Sequence, residues 1–152
     1  MDRAKGGGDA APAKGRIAVI LGIQLLIALV HLLRIGTYLR GSLFTLYYSY
    51  FSDVVIPFGM YFLLCLNDVY FRLLRDWRAK AVLVFSVATS TELMQAFGVP
   101  LLGQTFDPLD FVMFAAGVLL AVVVDRVLFG WLFPFWSPKA RDPSDATRQT
   151  PR

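Results

Sequence analysis

Four stretches of this chain are nearly free of charge, and each is long enough, or nearly so, to cross a bilayer. Residues 17–33 carry no formal charge, 41–66 carry only Asp53, 81–106 only Glu92, and 108–124 only Asp110. A membrane-spanning helix needs about 20 mainly apolar residues, because the hydrocarbon core offers its backbone no water to bond. The composition agrees: 57% of residues are hydrophobic and 17% charged, against roughly a quarter charged in an ordinary soluble domain. The reading is an all-α polytopic membrane protein with four transmembrane helices. Its organisation is a basic, disordered tail over 1–16, one four-helix membrane domain over 17–136, and a second disordered tail over 137–152.

Charge then orients the bundle. Of the fifteen Lys and Arg residues, thirteen fall in the N-terminal tail, in the connector 67–80, and from Arg126 onward; only Arg34 and Arg40 fall on the other side. Basic residues collect on the cytoplasmic side, so both termini are expected inside a cell inner (plasma) membrane crossed several times. The first apolar run ends in His31-Leu32-Leu33-Arg34, with no small-residue cleavage site, so it reads as a retained helix over 16–39. The connector 67–80 interleaves Arg72, Arg75, Arg78 and Lys80 with Tyr70, Phe71 and Trp77, a pattern suited to an anionic lipid surface. The basic residues flank hydrophobic segments instead of lining one face, which argues against a nucleic-acid partner.

Several chemistries drop out by counting. One cysteine, Cys65, excludes an intrachain disulfide, a CxxC pair and a cysteine zinc site; one histidine, His31, excludes any two-histidine metal motif. No metal and no cofactor is expected. Attention falls on the polar residues within the spans, where charge is costly and tends to face the bundle interior. With span boundaries near Leu39, Phe44, Leu101 and Asp107, Asp53 and Glu92 each lie about nine residues below the outer surface, roughly 13 Å deep. Gln95 shares a helix face with Glu92, and Asp110 stands at the top of the fourth span. Two bare carboxylates at one depth would repel, and Arg34, near the outer end of the first span, is the cation able to reach down to them. Asp107-Pro108-Leu109-Asp110 reads as a helix start, with Asp107 as the N-cap and Pro108 in the first turn. His31 and Cys65 read as packed side chains.

The stretch Thr91-Glu92-Leu93-Met94-Gln95-Ala96-Phe97, followed by Thr105-Phe106-Asp107-Pro108-Leu109-Asp110 and then Gly117, resembles the VanZ-like family of small integral membrane proteins. Glu92, Gln95, Asp110 and Gly117 fall at the positions of that family's signature, and the likeness covers roughly Ser90–Val124. The chain reads as a divergent member. Gln104 stands where the family has a loop Arg, Phe114 where it has an Asn, and Asp53 is followed by Val54 and Pro57 where it often shows Asp-Lys-x-x-His. The resemblance implies a cell-envelope protein associated with resistance to glycopeptide antibiotics such as teicoplanin.

The functional expectation is an outer-leaflet polar pocket of Arg34, Asp53, Glu92, Gln95 and Asp110. It would bind a lipid-linked or cell-wall head group or an amphiphilic drug. Its partners would be membrane lipids or lipid-linked envelope precursors, with a homo-oligomer allowed. Two other readings stand beside it. One is a membrane-embedded enzyme using a Glu/Asp acid–base pair on a lipid head group, weakened by the lack of a nucleophile or phosphate loop. The other is a small proton-coupled transporter built on Glu92.

Overall fold

The computed structural model describes residues 10–68, 70–97 and 107–136, and within them the chain is helix and turn throughout. Four main helices follow one another: α1 (Ala10–Leu32), α2 (Ser42–Leu66), α3 (Trp77–Ala96) and α4 (Pro108–Val123). The last runs on through a π-helical turn (Val124–Leu128) and a final α turn (Phe129–Leu132). Three segments are long and apolar enough to cross a membrane: Lys14–Leu32, Ser42–Leu66 and Pro108–Leu132. The third stretch expected to span belongs to α3, which also carries Arg78, Lys80 and Glu92 and is not among them. Expectations for residues 1–9, 98–106 (Gln104 included) and 137–152 lie outside the described residues.

Element boundaries differ from the sequence reading in three places. Helix α1 begins at Ala10, inside the stretch expected to be disordered. Alanine is the strongest helix former and Pro12 falls in the first turn, where its missing N–H costs nothing. The same helix stops at Leu32 instead of Leu39. Arg34 takes a left-handed backbone (φ 50°), and a short 3-10 turn follows at Ile35–Tyr38. There Gly36 lies so close under the Tyr47 ring that a Cβ would overlap it. Helix α3 begins at Trp77, not Ala81, because the Asp76 carboxylate accepts the Arg78 backbone N–H at 3.0 Å and caps it.

Packing follows from where side chains are small. On α4, Asp110, Phe114, Gly117 and Ala121 recur at helical spacing, and Phe114, Gly117 and Ala121 are buried. A Cβ on Gly117 would run into the Val54 backbone carbonyl of α2, so this glycine sets the closest approach of the two helices. Helix α2 packs most extensively on α4, and α3 packs on both. Helix α1 leans on α2, where the Gln24 side chain donates to the Gly59 carbonyl at 2.9 Å. Pro57, one turn past Asp53, leaves the helix unbroken but cannot donate to the Asp53 carbonyl. The apolar core centres on Tyr61, Phe62 and Cys65 of α2, with Val84, Ala121, Phe129 and Trp136. Trp136 comes from a terminal 3-10 turn that folds back, setting its ring edge-on to Phe129 at 4.7 Å.

Candidate functional site

The described polar side chains gather at two ends of the bundle. At the first, where α3 ends and α4 begins, four carboxylates converge. Glu92 is 3% exposed, and its Oε1 accepts the Asp107 backbone N–H at 2.8 Å. Asp107 in turn accepts the Leu109 N–H at 2.9 Å, with Pro108 behind it, the cap that its sequence spells. A glutamate of one helix and an aspartate of the next thus take up donors that α4 leaves open at its N-terminus. The positive end of the α4 dipole offsets part of their charge.

Asp53 of α2 is half-buried within electrostatic reach of Glu92 and Asp107, and Asp110 senses Asp53, Glu92 and Asp107. Three helices therefore bring Asp53, Glu92 and Asp110 within electrostatic reach of one another. One turn before Glu92 on the same face of α3, the Thr89 hydroxyl is buried with no hydrogen-bond partner among the described residues. Gln95 is half-buried one turn beyond Glu92 and makes no side-chain hydrogen bond among the described residues.

Two expectations about this cluster change. Arg34 is not its counter-charge: it is exposed, beyond the end of α1, and makes no ion pair among the described residues. Because α1 ends two residues before it, the arginine leaves the helix axis instead of reaching down the bundle. The partner of Glu92 is a backbone N–H. Glu92 also stands only four residues from the end of α3, about 6 Å along the axis, closer to the mouth than the longer expected span put it. His31 is exposed on α1, where it makes hydrogen-bonding contact with the Ile27 carbonyl (2.9 Å) and the Ser52 hydroxyl (3.4 Å).

The other end holds a buried network that sequence reasoning missed. Asp125 is 7% exposed. It accepts the Tyr61 hydroxyl at 2.7 Å and the Trp136 indole N–H at 2.7 Å, and its Oδ2 lies 3.7 Å from the Lys80 ammonium. Lys80 is 3% exposed, 3.1 Å from the Cys65 sulfur and 4.9 Å above the Tyr61 ring. Beside it the Arg16 guanidinium meets Asp68 at 2.5 Å and lies 5.0 Å over the Trp136 ring. Cys65 is a free, buried thiol, packed as expected, and its sulfur accepts from the buried Lys80 ammonium. The missed signal was there: Tyr61, Cys65 and Asp68 recur at i, i+4 and i+7, and Asp125 interrupts an apolar run that continues to Leu132. Ending the fourth span at Val124 made Asp125 look like a flanking charge.

Among the described residues no group of histidine, cysteine and acidic side chains is arranged to hold a metal ion. Fold and site together define a helical membrane protein with an acidic cluster at one end and a closed, charge-paired network at the other. Compared with known proteins, the chain matches no protein-family model, no curated protein and no solved structure.

Proposed function

We propose that this is a four-span, VanZ-like protein of the cell inner membrane, with both termini cytoplasmic, whose acidic cluster faces the outer leaflet and holds an envelope head group. In this reading α3 is the fourth span. Its 20 residues cover about 30 Å, the thickness of the hydrocarbon core. Lys80 is neutralised by Asp125 and Glu92 is tied to the Asp107 N–H, so neither opposes insertion as a bare charge would.

The observation that carries the reading is the cluster's sign. Asp53, Glu92, Asp107 and Asp110 lie together with no basic side chain paired to any of them among the described residues. Carboxylates without a cation favour a ligand that brings one: an ammonium on a lipid-linked precursor, an amino-phospholipid or an amphiphilic drug. A phosphate would be repelled. Glu92 is occupied by the α4 cap, which leaves Asp53 and Asp110 as the residues that meet the ligand. The Thr89 hydroxyl adds a neutral partner nearby.

The test is photo-crosslinking of the full chain in mixed micelles with a diazirine-bearing phosphatidylethanolamine, against the matching phosphatidylglycerol. The amine lipid is expected to label α2 near Asp53 and the start of α4. Substitution Asp53→Asn with Asp110→Asn should cut that labelling at least about tenfold, since both carboxylates that meet the ammonium lose their charge. Equal labelling by both lipids, or labelling indifferent to the double substitution, overturns the assignment.

A further inference from the structure

The segment joining α2 to α3 alternates side chains that neither water nor the protein interior suits. Tyr70, Phe71 and Leu73 are 80%, 60% and 71% exposed, and between and beside them Arg72, Arg75 and Arg78 are exposed as well. Only Leu74 turns inward, pinning the 3-10 turn Arg72–Arg75 to the bundle. The acids of the same segment are already committed elsewhere. Asp68 is held by Arg16, and the Asp76 carboxylate accepts the Arg78 backbone N–H.

The arginines are left with their charge unanswered. Arg72 and Arg78 make no ion pair and no side-chain hydrogen bond among the described residues; the Arg78 guanidinium lies 5.4 Å over the Trp77 ring. Arg75 donates only its Nε, to the Asp68 carbonyl at 3.3 Å, so its two terminal nitrogens remain free for an outside acceptor. Further exposed cations stand at this end, Arg126 past α4 and Lys14 on α1, and so does Trp131, 81% exposed. A strip of guanidinium groups set among exposed aromatic and aliphatic side chains, at the end of apolar helices, matches one environment. Rings and Leu73 enter the acyl boundary while the forked guanidinium groups bind phosphate oxygens above it.

We infer that Arg72, Arg75 and Arg78, with Tyr70, Phe71 and Leu73, form a docking surface for the phosphate head groups of anionic phospholipid in the leaflet at this end. The surface is distinct from the acidic cluster in place and in sign, so it selects lipids the other site rejects. Juxtamembrane basic residues each favour an anionic surface by about fivefold, so three together give a preference on the order of a hundredfold.

All three tryptophans, Trp77, Trp131 and Trp136, lie at this end of the bundle, so their fluorescence reports on it alone. The full chain in uncharged detergent is titrated with phosphatidylglycerol brominated near the head of its acyl chains, and separately with the matching phosphatidylcholine. Phosphatidylglycerol is expected to quench at a mole fraction at least tenfold lower. High salt should abolish the difference, and R72Q/R75Q/R78Q should bring the two lipids together. The single substitution R72Q removes no contact inside the protein and R78Q only the guanidinium over the Trp77 ring, so both leave folding intact and should each cost about fivefold. Equal quenching by both lipids, a preference that survives the triple and both single substitutions, or full competition by inorganic phosphate in place of lipid overturns the inference. Failure here leaves the phosphatidylethanolamine labelling at Asp53 and Asp110 untouched, and the converse holds.

Discussion

Two glycines on the last helix have opposite surroundings, and that contrast measures how tightly the bundle is closed. At Gly117 a methyl group would meet the carbonyl, carbonyl carbon and Cα of Val54, all backbone atoms of α2 that no rotamer change can move aside. Gly130 has nothing within 4 Å of the same position. Gly117→Ala should therefore force α2 and α4 apart and lower stability by about 2 kcal/mol, in the range of overpacked cores. Gly130→Ala should be neutral or stabilising by up to about 1 kcal/mol, because alanine is the better helix former. Thermal unfolding in detergent checks the pair. Equal effects would mean that α4 does not approach α2 at Val54, and Asp110, two turns before Gly117 on that face, would lose its place beside Asp53.

At the scale of elements, what the sequence displayed was whatever depends on neighbours along the chain. Asp107-Pro108 spells its own cap, and the apolar runs give α2 and α4 almost to the residue. Glu92 and Asp110 were legible as acids on neighbouring helices, but their closeness was not, because α3 ends early enough to set Glu92 nearer the mouth than its expected depth. The Lys80–Asp125 contact was not legible, because it depends on which face of α3 meets α4 and on the chain folding back at Pro134–Trp136. Arg34 failed for a related reason: one left-handed residue ended α1 early and turned the side chain away. The inner network also makes a claim about these elements. Lys80 of α3 lies between Cys65 of α2 and Asp125 after α4, so three helices share one buried ammonium. Asp125→Asn keeps an acceptor for Tyr61 or Trp136 but leaves Lys80 without a counter-charge, and should cost about 3–5 kcal/mol. Lys80→Met should cost less, since two donors still satisfy Asp125. A double mutant of the two should recover about 1–3 kcal/mol against the sum. Additivity within about 0.5 kcal/mol, the spread for independent sites, would separate the residues.

For the whole molecule, the two polar ends divide the charge as a membrane would require. Asp110 and Asp125 are fifteen residues apart on one continuous helical stretch, about 22 Å along its axis. One end gathers Asp53, Glu92, Asp107 and Asp110; the other gathers Lys14, Arg16, Arg72, Arg75, Arg78, Lys80 and Arg126. Buried acids answer two of those cations, Arg16 and Lys80, while the exposed ones keep their charge. An excess of exposed Lys and Arg holds a loop on the cytoplasmic side against the insertion machinery. The basic end should therefore be cytoplasmic and the acidic cluster outside. That orientation also demands that α3 cross, although its composition alone does not mark it as a span. Glu92 reaches the Asp107 N–H at one end of α3 and Lys80 reaches Asp125 near the other, so α3 runs alongside the α4 stretch. Reporter fusions decide it. Fusions after residues 40 and 103 should report an exterior location, and fusions after 75 and 140 an interior one. A fusion at 103 reporting the same side as one at 75 would leave α3 uncrossed. It would detach the acidic cluster from the outer leaflet, and the head-group site with it.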